Sequence, residues 1–162
     1  MTIHYVDASA WAKLLVEEPE SGPLAAYVNE RLAAGETFAS SHLLVTELHR
    51  LAARVGAAPT SVTAALSVLA LTLPDAATFR AAGLLAGQVR SLDALHVASA
   101  LDLGVVDFVS YDQRQLAAAA TAGIPAASPG TVPAAGAGSS PRRGPARTCH
   151  GYRQSWRFLR RG

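Results

Sequence analysis

The sequence predicts an α/β domain with a mainly parallel central sheet. Short apolar runs alternate with longer segments of helical periodicity along residues 1–128, and this alternation is typical of strand–helix–strand units. Half of the 162 residues are hydrophobic and 16% are charged. This composition excludes intrinsic disorder for most of the chain and provides enough apolar residues for one hydrophobic core. We therefore expect one folded domain at about residues 1–128.

Proline and glycine mark the helix ends in the first part of this domain. Pro19 ends the first predicted helix, whose N-cap we expect to be Ser9. Gly35 and Gly56 follow the next two predicted helices, in the position where glycine relieves the strain of a left-handed residue. The predicted elements are strand 3–7, helix 9–18, helix 23–34, strand 37–40 and helix 41–55.

Capping residues mark the helix starts in the second part. Asp75, Ser91 and Asp112 each stand where a predicted helix begins. Gln115, three residues after Asp112, completes the sequence pattern of a capping box. The predicted elements are helix 59–70, strand 71–73, helix 75–89, helix 91–103, strand 105–110, a helix from 112 that Gly123 closes, and an edge strand 124–127.

The C-terminal segment differs from the rest in composition and charge. Residues 1–128 hold 12 acidic and 7 basic residues, a net charge of −5, whereas residues 129–162 hold seven arginines and no acid. Eleven of the thirteen residues 129–141 are Pro, Gly, Ala or Ser, a composition that cannot bury enough apolar surface to order the chain. We expect residues 129–162 to be a low-complexity, disordered basic tail.

The remaining composition points to a reducing compartment. Cys149 is the single cysteine, so an internal disulfide framework is excluded. The N-terminus lacks the basic and apolar regions of a secretory signal, and no apolar run has the length of a membrane span. We expect a cytoplasmic protein that does not contact a membrane.

Four acids stand at positions that suggest a site. Asp7 and Asp112 follow predicted strands, and ligand sites in parallel sheets lie beyond the carboxyl ends of the strands. Asp93 lies in the first turn of a predicted helix. Glu47 shares a helical face with leucines such as Leu44 and Leu51, where a carboxylate is unfavourable unless something neutralises it.

A divalent cation would let these carboxylates share one pocket. Two of them about 4 Å apart repel by roughly 4 kcal/mol at an effective dielectric near 20. A cation reverses that sign, and a ligand set made only of oxygens selects Mg²⁺ or Mn²⁺. Because such a metal activates water and stabilises charge on phosphate, the pattern favours phosphodiester chemistry.

Each acid also has an ordinary structural explanation. Convergence of the four in space is a hypothesis at this stage. The alternatives are a helix cap for Asp112, a favourable interaction with a helix dipole for Asp93, an ion pair with Arg50 or Arg54 for Glu47, and a strand–helix turn for Asp7.

The ordered set of acids, with its neighbours, resembles the PIN domain, and more narrowly the VapC toxins of type II toxin–antitoxin operons. The resemblance covers about residues 2–128, and it is carried by the order of the motifs, their spacing and the flanking apolar residues. The motifs are Val6-Asp7-Ala8-Ser9-Ala10, Val45-Thr46-Glu47-Leu48, Ser91-Leu92-Asp93-Ala94-Leu95-His96-Val97-Ala98 and Ser110-Tyr111-Asp112.

The resemblance implies a three-layer α/β/α fold and an endoribonuclease that needs Mg²⁺ or Mn²⁺ and cuts structured RNA such as tRNA or rRNA. It implies that Asp7, Glu47, Asp93 and Asp112 are the catalytic and metal-binding acids, with Asp7 and Asp93 the firmest ligands. Ser9 and Ser110 match supporting polar positions; the family often has threonine at the second. The implied partners are an RNA substrate, a cognate antitoxin and a second copy of the chain, in a homodimer and a toxin–antitoxin hetero-oligomer.

Other functions fit the sequence less well. Haloacid-dehalogenase phosphatases need a second Asp two residues after the first, where this chain has Ser9. A dinucleotide-binding fold needs a glycine-rich turn after a strand, which the sequence lacks. The remaining alternative is a non-catalytic α/β module that binds RNA or a protein.

Overall fold

The computed structural model describes residues 1–87 and 89–131, and within them five strands form one parallel sheet. The strand order is β3-β2-β1-β4-β5, which places β1 in the middle and confirms the prediction of a mainly parallel sheet. The predicted basic tail lies outside the described residues from position 132 onward. The strands are β1 (Ile3–Val6), β2 (Thr37–Ser41), β3 (Leu69–Thr72), β4 (Asp107–Val109) and β5 (Ala126–Ala127).

Helices connect the parallel strands, as such connections require. Gly56 and Gly104 end two of them in the left-handed conformation, with φ of 69° and 61°. The described helices are α1 (Ala8–Trp11), which continues as a 3-10 turn (Ala12–Leu14), α2 (Ser21–Ala33), α3 (Leu43–Val55), α4 (Pro59–Leu66), α5 (Ala76–Leu84), α6 (Ser91–Leu103) and α7 (Gln113–Thr121). No helix within residues 1–87 and 89–131 has the length and apolarity needed to cross a membrane.

The two faces of the sheet bury different hydrophobic clusters, because successive side chains of a strand point to opposite faces. Val6 and Val109 pack with Trp11 of α1 and with residues of α2, α3 and α4. Tyr5 and Phe108, one position earlier on the same strands, pack with residues of α6 and α7. Helices therefore cover both faces, which gives the three-layer α/β/α arrangement.

Several predicted boundaries were wrong in the first part of the domain. Asp7 caps α1 through a bond from the Ala10 amide, so Ser9 is not the cap. The first helix and its 3-10 turn end at Leu14, not at residue 18, and the helix predicted over 59–70 ends at Leu66. Leu69–Thr72 form a strand and not the end of a helix, because they pair with β2. A short apolar run is compatible with either structure, and the tertiary pairing decides between them.

The second part has similar differences. Ser91 is the first residue of α6 and Arg90 occupies the cap position. The helix that Asp75 caps ends at Leu84, not at residue 89, and β4 is shorter than the predicted strand 105–110. Asp112 does cap α7, but the Gln115 side chain donates to Asp93 and not back to the cap, so the capping box is absent.

Two glycines in equally open surroundings should respond to alanine with opposite signs. A Cβ at Gly56 or at Gly83 would meet nothing within 4 Å. Gly56 has φ of 69°, so Gly56→Ala should lower the free energy of unfolding by about 1 kcal/mol through backbone strain. Gly83 lies inside α5 without a positive φ, so Gly83→Ala should raise it by up to about 1 kcal/mol. Urea denaturation of both variants checks this; equal signs would contradict it.

Candidate active site

Asp7 occupies the turn between the central strand β1 and helix α1, where it is fully buried. Its Oδ1 accepts hydrogen bonds from the Ala10 amide and the Ser9 hydroxyl, each at 2.9 Å. Its Oδ2 accepts from the Ser110 hydroxyl at 2.8 Å. Burial nevertheless raises the pKa of Asp7 from 3.8 to about 6, because desolvation of the charged form outweighs these bonds. The site therefore holds a carboxylate whose charge is incompletely compensated.

Two serines tie the end of β4 to the end of β1. Besides its bond to Asp7, the Ser110 oxygen accepts the Asp112 amide at 3.0 Å. The Ser9 oxygen accepts the Tyr111 amide at 2.8 Å and lies 3.1 Å from the Ser110 oxygen. Through Ser110, the structure brings Asp7 and Asp112 to one edge of the sheet, as expected for adjacent parallel strands.

Asp93 reaches the same edge from the first turn of α6. Gln115, on α7, donates from Nε2 to Asp93 Oδ1 at 2.9 Å. Burial, and next the charge of Asp112, raise the pKa of Asp93, so these two carboxylates interact through space. Gln115 Oε1 is buried and has no hydrogen-bond partner within the described part of the chain. The side-chain oxygen of Gln115 is therefore a free hydrogen-bond acceptor close to Asp93.

Glu47 approaches from α3 and contacts a buried histidine. Its Oε2 lies 2.9 Å from His96 Nε2, and the His96 side chain is completely buried. A protonated His96 would also lower the pKa of Asp7 and of Asp93, so the imidazole lies within reach of three of the four acids. The expected alternative for Glu47, a pair with Arg50 or Arg54, is not among the ion pairs of residues 1–87 and 89–131.

A groove of about 840 Å³ opens beside Glu47, and two arginines are among the residues that line it. Arg50 and Arg54 of α3 line it together with Leu92, whose side chain is about half exposed. Arg90 acts electrostatically on Asp93. Positive charge therefore borders an acidic site inside a domain of net negative charge.

The chemistry of the donor set fits a hard divalent cation. All four acids offer oxygen ligands, which Mg²⁺ and Mn²⁺ prefer, and the raised pKa values of Asp7 and Asp93 show that their negative charge is under-compensated. The free Gln115 oxygen adds a further acceptor. Within residues 1–87 and 89–131, however, no three His, Cys, Asp or Glu side chains are already gathered closely enough to hold a metal.

Two residues of the site were missed in the sequence. Gln115 has the spacing of a capping-box residue, and this spacing predicted a role at the start of its own helix. Its contact with Asp93 was therefore not expected. Tyr5 reads as an apolar strand residue, yet its hydroxyl contacts His96 Nδ1 at 2.9 Å. A tyrosine on a fully buried central strand needs a partner for its hydroxyl, and this was the signal available.

Comparison with known proteins agrees with this architecture. The model of the PIN domain matches residues 4–121. Ribonuclease VapC47 of Mycobacterium tuberculosis (strain CDC 1551 / Oshkosh) is 36% identical over 132 residues, covering 77% of this chain and 96% of that protein. Ribonuclease VapC46 of the H37Rv strain is 37% identical over 133 residues, covering 80% and 99%.

The fold also resembles solved toxin structures. The crystal structure of Rickettsia felis VapBC2, bound to a DNA fragment from its promoter, superposes with a TM-score of 0.59 at 16% identity, covering 78% of this chain and 98% of that one. The M. tuberculosis VapC20 toxin, which cleaves the sarcin–ricin loop, gives a TM-score of 0.56 at 20% identity, covering 71% and 94%. At these identities the likeness concerns the fold.

Proposed function

The chain belongs to the PIN-domain family as a VapC-like member, and on that premise we propose that it is a metal-dependent endoribonuclease toxin. It cleaves structured RNA, tRNA or rRNA, in the cytoplasm and is neutralised by a cognate antitoxin. The observation that supports the proposal is that Ser110 joins the buried Asp7 carboxylate to the amide of Asp112, while the charge of Asp112 acts on Asp93.

In this proposal Asp7 and Asp93 are the principal ligands of Mg²⁺ or Mn²⁺, and Glu47 and Asp112 bind it directly or through water. The bound cation supplies an activated water and neutralises charge that develops on the phosphate. Ser9 and Ser110 hold Asp7 in place by donating to its two oxygens. Gln115 holds Asp93 in the same way.

The reaction is hydrolysis of one phosphodiester bond. A water oxygen attacks phosphorus in line with the 3′ oxygen and gives up a proton. The bond from phosphorus to the 3′ oxygen breaks, and that oxygen takes up a proton. The products are a 5′-phosphate and a 3′-hydroxyl. Glu47 is partly exposed and lines the groove, which suits a carboxylate that orients the attacking water.

The relatives support the choice of partners. VapC47 and VapC46 are named ribonucleases, and VapC20 cleaves the sarcin–ricin loop, which favours a structured RNA substrate here. The VapBC2 structure favours an antitoxin partner, and we propose a homodimer within a toxin–antitoxin hetero-oligomer. The arginines along the groove, Arg50 and Arg54, are placed to contact RNA phosphates.

RNA cleavage with matched variants of one helix tests the proposal. Asp93 and Asp102 both lie on α6, but Asp102 is exposed and apart from the described site contacts. We expect cleavage of tRNA or rRNA by the purified chain with Mg²⁺ or Mn²⁺, and none with a chelator. Asp102→Asn should behave as the wild type, whereas Asp93→Asn should lose the metal-dependent increase in rate. Wild-type rates in Asp93→Asn would end the proposal.

A further inference from the structure

A chain of three side chains links the centre of the sheet to the candidate site. Tyr5 on β1 and His96 on α6 are both fully buried. The Tyr5 hydroxyl lies 2.9 Å from His96 Nδ1, and His96 Nε2 lies 2.9 Å from Glu47 Oε2. Each nitrogen of the imidazole therefore has one partner, one inside the core and one at the site.

The partners of Tyr5 are compatible with one arrangement of hydrogens in which Tyr5, His96 and Glu47 are linked by two hydrogen bonds. The Tyr5 oxygen accepts the Ser41 amide at 3.0 Å, and burial raises the pKa of the phenol, so Tyr5 keeps its hydrogen. In this arrangement the His96 Nδ1 lone pair accepts the hydrogen of the Tyr5 hydroxyl. A neutral imidazole with an unprotonated Nδ1 carries its hydrogen on Nε2, and this hydrogen is donated to Glu47.

The two buried rings hold this arrangement rigidly. Tyr5 stacks on Phe108 with centroids 5.3 Å apart and an interplanar angle of 11°. His96 meets the Tyr5 ring edge-on, with centroids 5.8 Å apart. Glu47, in contrast, has a long side chain on a helix surface and is 29% exposed, so it has conformational freedom that Asp7 lacks.

We propose that Tyr5 and His96 are positioning residues that fix the Glu47 carboxylate: Tyr5 selects the Nε2–H tautomer of His96, and His96 holds Glu47 Oε2. This leaves Glu47 Oε1 available to the cation or to the attacking water. The role in catalysis rests on the proposed function, but the tautomer and the effect on metal binding do not require RNA cleavage. Hydrogen-bonded residues that orient metal ligands typically change metal affinity or activity 10- to 100-fold when removed.

Tyr5→Phe tests this role because it removes the hydroxyl and keeps the ring. It also takes the phenol acceptor from the Ser41 amide, so the variant is first shown to be folded. Tyr27→Phe is the matched control, since Tyr27 donates to Asp107 at 2.6 Å elsewhere in the domain. For the histidine, His96→Leu removes the donor, and His96→Gln restores an N–H near the position of Nε2. His49→Leu is the control on the exposed surface of α3.

Nitrogen-15 NMR of the metal-free protein reads the tautomer directly. We expect His96 to carry its hydrogen on Nε2 in the wild type and in Tyr27→Phe, and to lose this preference in Tyr5→Phe. Mn²⁺ binding followed by EPR without RNA should be about 10-fold weaker in Tyr5→Phe and His96→Leu. His96→Gln should recover most of the affinity, and both controls should keep it.

Cleavage assays complete the test. In Tyr5→Phe the kcat should fall about 10-fold while the KM for RNA stays unchanged, because the substrate-binding surface is intact. Hydrogen on Nδ1 in the wild type, or wild-type Mn²⁺ affinity in folded Tyr5→Phe, would overturn the inference. If Tyr5→Phe does not fold, the inference is overturned when His96→Leu and His96→Gln bind Mn²⁺ with equal affinity. Absence of cleavage by the wild type would instead refute the proposed function, with the NMR and EPR results still deciding the inference.

Discussion

Asp7→Asn is expected to make the protein more stable at pH 8 while strongly lowering the rate of RNA cleavage. The Asp7 carboxyl is fully buried, and burial raises its pKa from 3.8 to about 6. A carboxyl group with a pKa higher in the folded than in the unfolded state lowers stability as pH rises. The loss begins near pH 4 and is complete above pH 6, and it amounts to roughly 3 kcal/mol. Asparagine does not ionise and avoids this loss.

The net gain should be roughly 2 kcal/mol, because asparagine can still accept the Ala10 amide but pairs less well with the two serine hydroxyls. Cleavage should fall about 1,000-fold, since metal catalysis supplies several kcal/mol of transition-state stabilisation. Urea denaturation in chelator at pH 4 and pH 8 measures the first effect. The advantage of Asp7→Asn should be present at pH 8 and nearly absent at pH 4.

Asp102→Asn, which replaces an exposed acid, is the control and should change stability by less than about 0.5 kcal/mol. A variant Asp7→Asn that is no more stable than the wild type at pH 8 would show that the buried carboxylate is well compensated. That result would remove the electrostatic reason for a cation at this site.

Ser110→Ala is expected to lower both stability and activity. The fully buried Ser110 hydroxyl donates to Asp7 Oδ2 and accepts the Asp112 amide. Its removal leaves the amide unpaired and takes a charge-assisted bond from Asp7, so unfolding should become easier by about 1–3 kcal/mol. Cleavage should slow by about 10- to 100-fold, because a residue that holds a metal ligand is lost.

The pH dependence of cleavage separates this role from a general loss of packing. The Ser110 hydroxyl lowers the pKa of Asp7, so the pKa must rise further when the hydroxyl is absent. Activity that requires ionised Asp7 decreases as pH falls through that pKa, and the decrease should therefore begin at higher pH in Ser110→Ala. Ser110→Thr retains a hydroxyl and should restore the wild-type profile. An unshifted profile in Ser110→Ala would contradict the role.

The fold was predictable because the signals for it are local. Gly56 and Gly104 end helices by a conformational preference that needs no tertiary context. The ambiguous boundaries occur where two residues compete for one role. Asp7 and Ser9 can each cap the first helix, and the choice depends on Ser9 being engaged by the Tyr111 amide, 102 residues away in sequence.

The acids of the candidate site were predictable from the sequence, whereas the residues that hold them in position by hydrogen bonds were not. Asp7 and Asp112 follow strands, and a parallel sheet brings such positions together whatever the intervening sequence. Tyr5 and Glu47 are 91 and 49 residues from His96 in sequence, and no periodicity connects them. Gln115 bonds Asp93 instead of its own helix N-terminus because α6 and α7 pack together, which is a tertiary fact.

A crystal soaked in Mn²⁺, with an anomalous difference map measured at the manganese absorption edge, tests most directly whether these acids share one hard cation. We expect a strong peak for a manganese ion that contacts carboxylate oxygens of Asp7 and Asp93. Glu47 and Asp112 should contact the same ion directly or through water. A map without a peak there, at a Mn²⁺ concentration that supports RNA cleavage, or with manganese bound only elsewhere, would contradict the account.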